Sequence, residues 1–159
     1  MAMALQIRPM QPAEHDTITR IFHDVWHETQ ARLQDPRRAK LRDIAFFRGR
    51  VEMADVHTLV AAVDNDIVGF TRWSSGNLHS LFVRSGHRSK GIGEMLCTAA
   101  IQANNIIGGG PMVLDCVEGN YAARRFYERL GWRVKETLES KDEIAEGQIH
   151  TRYWIMVNL

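Results

Sequence analysis

Leu81-Phe82-Val83-Arg84-Ser85-Gly86-His87-Arg88-Ser89-Lys90-Gly91-Ile92-Gly93 decides how this chain is read. It opens as a short apolar strand and, from Ser85, passes through a loop with the two cations Arg88 and Lys90 before entering a helical pattern. Ile92, Leu96, Ala99, Ala103 and Ile106 recur at helical spacing until Gly108-Gly109-Gly110-Pro111 stops them. Such a strand–loop–helix junction binds anions. The first N–H groups of a helix lack intrahelical partners, the helix dipole is positive there, and glycine lets a phosphate approach the backbone. Arg88 and Lys90 add opposite charge. A P-loop does not fit, because Ile92-Gly93 stands where Lys-Ser/Thr must reach the terminal phosphates. A dinucleotide fingerprint fails too, since Leu96 takes the place of its third glycine. A tight turn with solvated surface charges is the alternative that these residues alone leave open.

Outward from this junction the chain is a mixture of α and β. Upstream, the runs His57 to Val63, Ile67 to Trp73 and Leu78 to Val83 are separated by Asp64-Asn65-Asp66 and Gly76-Asn77, which predicts a three-stranded antiparallel meander. Downstream, Met112 to Val117 is a short apolar strand. With Leu78 to Val83 and the intervening helix it makes a βαβ unit, whose strands run parallel through a right-handed crossover. Nearer the N-terminus a strand is expected at Ala4 to Arg8, and a helix from about 12 to 31 with Ile18, Ile21, Phe22, Val25 and Trp26 inward. A second helix begins at Asp35-Pro36, with Leu41, Ile44, Ala45 and Val51 on its apolar side and arginines on the other. A last helix over about Asn120 to Leu130 stops at Gly131, and strands Trp132 to Glu139 and Ile149 to Val157 flank a polar loop.

The 159 residues suit one domain spanning 1–159, and 45% hydrophobic with 25% charged residues is the balance of a soluble globular protein. No apolar run approaches the roughly 20 residues that cross a bilayer, and no signal pattern opens the chain, so a cytoplasmic location and no membrane partner are expected. Cys97 and Cys116 belong to no metal-ligand spacing, so no metal is expected. A formal charge of +1 gives no general field for nucleic acid, which is not expected as a partner. A homodimer is neither required nor excluded.

Leu81-Phe82-Val83 followed by Arg88-Ser89-Lys90-Gly91-Ile92-Gly93 resembles the Arg/Gln-x-x-Gly-x-Gly/Ala motif of the GNAT superfamily of N-acetyltransferases. Asn120-Tyr121-Ala122-Ala123-Arg124-Arg125-Phe126-Tyr127-Glu128-Arg129-Leu130-Gly131-Trp132 resembles the second motif of that superfamily, in the same order. The resemblance implies an α/β fold with a mixed, mostly antiparallel sheet, a splayed parallel pair and flanking helices. It also implies acetyl-CoA as co-substrate and an amine of a small molecule, peptide or protein as acceptor. A CoA-binding regulatory domain without catalysis and an acyltransferase using a longer acyl-CoA are the alternatives.

By the same resemblance, main-chain groups of Leu81, Phe82 and Val83 hold the pantetheine arm, and Arg88, Ser89, Lys90, Gly91, Ile92 and Gly93 hold the pyrophosphate. Asn120 caps the last helix and touches the arm. Tyr127 matches the general acid that protonates the departing thiolate, a task suited to a phenol with an ordinary pKa of about 10. The base is fixed by neither motif. Asn77-Leu78-His79-Ser80 stands where family members often carry a glutamate, so His79 is one candidate and Glu118 another. Cys116 reads as a small buried thiol, so transfer is expected to be direct, without a covalent enzyme intermediate. Trp26, His27, Trp73, His150 and Tyr153 are candidates for the acceptor pocket, and the acceptor itself is left undetermined.

Overall fold

The computed structural model describes residues 4–158. Seven strands form one sheet: β1 (Leu5–Pro9), β2 (His57–Val63), β3 (Asp66–Ser74), β4 (Asn77–Val83), β5 (Met112–Val117), β6 (Arg133–Ile144) and β7 (Gly147–Asn158). Their spatial order is β1-β2-β3-β4-β5-β7-β6, and every neighbouring pair is antiparallel except β4–β5. The helices are α1 (His15–Thr29), α2 (Pro36–Leu41), α3 (Ile44–Val51), α4 (Ile92–Ile106) and α5 (Tyr121–Arg129).

The meander forms as its punctuation predicts. Asp64 and Asn65 sit at φ 50° and 71°, both positive as a two-residue type I′ hairpin requires. Within β2–β3 the pairing steps from Ala61–Gly69 to Ala62–Ile67, leaving Val68 as the extra residue of a β-bulge. The bulge lets Ile67 and Phe70 both join the cluster under α1 and α3, while Val68 joins Ile92 and Leu96 of α4. Helices therefore cover both faces of the sheet. Phe22, Phe47 and Phe70 are 6%, 1% and 0% exposed, and fully burying one such ring stabilises by about 1.5–3 kcal/mol. Gly69 is required at the other face, because a Cβ there would lie 2.8 Å from the Phe82 carbonyl oxygen.

Three expectations need correction. The single helix after Asp35 is broken: Arg42 leaves helical geometry at φ −98°, ψ 61°, and the Asp43 side chain accepts from Phe46 N at 2.8 Å to cap a new helix. Leu41 and Ala45 are consequently outside, Phe47 and Val51 are inside, and Arg38 is not on a solvated face but buried. In α4 Ile92 and Leu96 pack as expected, joined by Cys97, Ala100 and Asn104, whereas Ile106 is 85% exposed in the last turn. The polar loop near the C-terminus is instead a continuous hairpin, with β6 and β7 paired from Arg133–Val157 to Ile144–Gly147.

Candidate active site

The parallel pair makes the site. β4 and β5 are hydrogen-bonded neighbours at Asn77–Val113 and pair nowhere beyond it. That end is pinned: Gly76 O accepts from Val113 N at 2.9 Å, and buried Asn104 reaches both Gly76 N and Gly110 O at 2.8 Å. Past this clamp the strands separate, because β4 keeps its partner β3 while β5 is drawn to β7 along its whole length. The edge of β4 that faces β5 is left with unpaired main-chain groups, to which an extended chain can add like a strand. A cleft of about 370 Å³ occupies the gap, with Leu81, Phe82, Asn120 and Tyr127 in its wall.

At the far end of β4, Ser89 and Gly91 hold φ 61° and 81°, a left-handed turn that brings the chain into α4. Gly91 is the N-cap and has no side chain to satisfy the first-turn N–H groups, so they remain available to an anion. Arg88 is folded back: its Nε donates to Val83 O at 2.9 Å and its Nη1 pairs with Glu28 at 3.0 Å. Gly93 allows α5 to close in, since a Cβ there would stand 3.2 Å from the Phe126 ring.

α5 starts at Asn120, whose Oδ1 accepts from Ala123 N at 3.2 Å. Two turns on, Tyr127 packs edge-on to Phe126 and Trp132 at centroid distances of 5.0 and 5.7 Å. Desolvation pushes the pKa of its hydroxyl further up from the usual phenol value, with the nearby thiols of Cys97 and Cys116 acting in the same direction. Both thiols are themselves raised to about 11 by burial, so neither is a thiolate at neutral pH.

His79 is the unpaired residue of a second bulge, where pairing steps from Arg72–Ser80 to Trp73–Leu78. Its Nε2 lies 2.6 Å from Ser74 Oγ, and it lines the cleft. Burial, followed by the charge of Arg72, lowers its pKa, and Asp115 opposes that shift from the neighbouring strand. Trp26 and Tyr153 line the same cleft. The other candidates stand apart. Glu118 is paired with Arg152 at 3.2 Å and His150 with Glu139 at 2.8 Å, both in a depression beside β7 that adjoins the cleft at Gln34 and Val117. His27 Nε2 is 2.6 Å from Arg42 O, and Trp73 is buried with its ring 4.6 Å from that of His57. Arg42, Phe46, Arg50, Arg72 and Asp115 line the cleft and were not expected there. Phe46 and Arg50, four apart on α3, share a helical face and were the available signal, whereas Arg42 stands at the break before that helix and had none.

Residues 18–132 match the model of the acetyltransferase (GNAT) family. An uncharacterized N-acetyltransferase of Methanocaldococcus jannaschii is 35% identical over 95 residues, 57% of this chain and 61% of that protein. An uncharacterized N-acetyltransferase of Archaeoglobus fulgidus is 30% identical over 134 residues, 77% of this chain and 91% of that protein. The fold is that of the PaiA N-acetyltransferase of Thermoplasma acidophilum, solved in complex with coenzyme A: TM-score 0.71, 16% identity, covering 96% of this chain and 99% of that one. With the splayed strands, the open helix start and the two sequence motifs in one architecture, the chain belongs to the GNAT family of acetyltransferases and is an acyltransferase.

Proposed function

We propose that this enzyme moves the acetyl group of acetyl-CoA directly to a primary amine, with Tyr127 as the acid that protonates the leaving sulfur. The observation that carries the reading is the gap between β4 and β5, where an unpaired strand edge and Tyr127 share one cleft. Pyrophosphate is held by the α4 N-terminus from Arg88 to Gly93, with Arg88 exchanging Glu28 for a phosphate. Ser89, Lys90 and Ile92 contribute main-chain N–H groups, and Lys90 also contributes charge. The pantetheine arm lies along Leu81, Phe82 and Val83, where a main-chain N–H polarises the thioester carbonyl. Asn120 caps α5 beside the arm.

The amine nitrogen attacks the carbonyl carbon and the oxyanion forms against that N–H. The nitrogen loses a proton to a base, the C–S bond breaks, and sulfur takes the proton of Tyr127. His79 is the better-supported base, because it lines the cleft and its lowered pKa keeps it neutral at physiological pH. The ion pair of Glu118 in another depression speaks against that residue.

Tyr127→Phe tests the mechanism. The ring and its packing persist, so melting temperature and acetyl-CoA affinity should change little while kcat falls by about 10²-fold or more. Acceptor-dependent release of free CoA thiol is the readout. Native turnover in the variant would leave the acid elsewhere, and no thiol release from any amine would sink the transfer reading.

A further inference from the structure

Arg42, Arg50 and Arg72 all line the cleft that holds Tyr127. Among the described residues no carboxylate pairs with any of them, although the ion pairs of the chain engage Arg8, Arg37, Arg38, Arg48, Arg88, Arg124 and Arg152. They are held by aromatic faces instead. The guanidinium carbons of Arg42 and Arg50 lie 4.0 and 4.9 Å from the centroid of the same ring, Phe46, and that of Arg72 lies 5.5 Å from Phe22. Arg72 is only 4% exposed, and its Nε has no hydrogen-bond partner. Its Nη2 donates to the main-chain carbonyl of Arg50 at 2.9 Å and its Nη1 to Ser80 Oγ at 3.3 Å, which anchors the Arg72 side chain between α3 and β4. Two carboxylates bear on this region: Asp142, which acts on Arg42 but pairs with Arg38 at 2.6 Å, and Asp115, which lines the same cleft on the His79 side and forms no ion pair with the arginines.

A buried cation without a counter-charge is costly, and three like charges on one wall add mutual repulsion. Burial and the neighbouring arginines lower the pKa values of Arg42 and Arg72, the second to about 10. A wall of this kind is completed by an anion. Guanidinium forks suit the paired oxygens of carboxylate or phosphate, and stacking on Phe46 pre-orders two of the forks. We propose that the acceptor is a small amine that also carries an oxyanion, carboxylate or phosphate, and that Arg42 and Arg50 hold that group over the buried charge of Arg72. This rests on the reading of the cleft as an acetyl-transfer site. The same field repels polycationic amines and disfavours the protonated form of the amine it seats, which readies the nucleophile.

The test titrates CoA-loaded protein with 4-aminobutanoate and 2-aminoethyl phosphate, and with their counterparts that lack the oxyanion, 4-aminobutanamide and ethanolamine. At least one oxyanion-bearing probe should bind about tenfold or more tightly than its counterpart, and which one does so identifies the oxyanion. In Arg42→Gln/Arg50→Gln that ratio should fall to near one, with acetyl-CoA affinity unchanged. Equal binding of probes with and without the oxyanion, no binding of either, or a preference that survives the double variant overturns the proposal. Thiol release with acetyl-CoA separates the two readings. Anion-selective binding without turnover would defeat acetyl transfer and keep the oxyanion site. Turnover of amines without charge preference would do the reverse.

Discussion

His79 and Tyr127 face one cleft with pKa values moved in opposite directions by one physical cause, because burial disfavours the charged form of each. For the histidine the charged form is the protonated one, so its pKa drops below 6.5; for the tyrosine it is the phenolate, so its pKa rises above 10. A base works when neutral and an acid when protonated. The kcat of acetyl transfer should therefore rise as pH increases through a midpoint below 6.5, and no loss attributable to Tyr127 should occur below about pH 10. His79→Gln should remove the acidic limb and lower the plateau by about 10²-fold. A profile unchanged from wild type would assign the base to another group or to water. Glu118 is adjacent to the parallel strand in sequence, yet its carboxylate is engaged by Arg152.

Beside the splayed β4–β5 pair, the α4 N-terminus and the α2–α3 break shape the site. Gly91 at φ 81° has open space around it, so a side chain there meets strain but no clash. Gly91→Ala isolates the strain, about 1–2 kcal/mol for a left-handed residue. Gly91→Asp adds a carboxylate where the pyrophosphate is expected, and should weaken acetyl-CoA binding by about 10²-fold relative to the alanine variant. Calorimetric titration of folded protein measures this, and equal affinities in the two variants would remove the loop from cofactor binding. The helix break has a different effect. It frees Arg42 from the helical repeat and lets Asp43 restart the chain, so that Arg42 and Arg50 approach one phenylalanine ring.

At the scale of the whole molecule, the β6–β7 hairpin is tied to the α2 side of the sheet by one buried side chain. Arg38, 4% exposed, donates through Nη2 to Asp142 at 2.6 Å and to Thr151 at 2.9 Å. Asp142→Ala leaves that guanidinium buried with only the threonine hydroxyl. The expected cost is about 1–3 kcal/mol, a fall in melting temperature of about 2–4 °C for each kcal/mol. Urea denaturation with and without acetyl-CoA measures it. Because the Arg38 side chain is not part of the β4–β5 gap, cofactor affinity should be preserved, and an unchanged midpoint would show that the backbone ladder and the bonds of Arg37 to Glu146 O and Gln148 O hold the hairpin without the Arg38–Asp142 pair.

The sequence by itself determined the meander, the parallel unit and the strand–loop–helix junction, because each is written locally: alternation, a positive-φ turn, a helix start without a capping side chain. It also determined the family, through two motifs in order. It did not show the full length of the last hairpin, since Lys141, Asp142 and Glu143 lie in a strand that is exposed on both faces and carries no apolar alternation. Nor did it show that His79 is the unpaired residue of a bulge, which is a mismatch between two strands and belongs to neither. Only the tertiary structure decided which polar residues share the cleft. Arg72 from β3, Arg42 and Arg50 from either side of a helix break, and Asp115 from β5 are brought together by packing across the sheet, while Glu118 and His150 are drawn into pairs elsewhere. Contacts between residues far apart in the chain depend on how the faces pack, and hydrophobic periodicity specifies which face is inward without specifying which partner it meets.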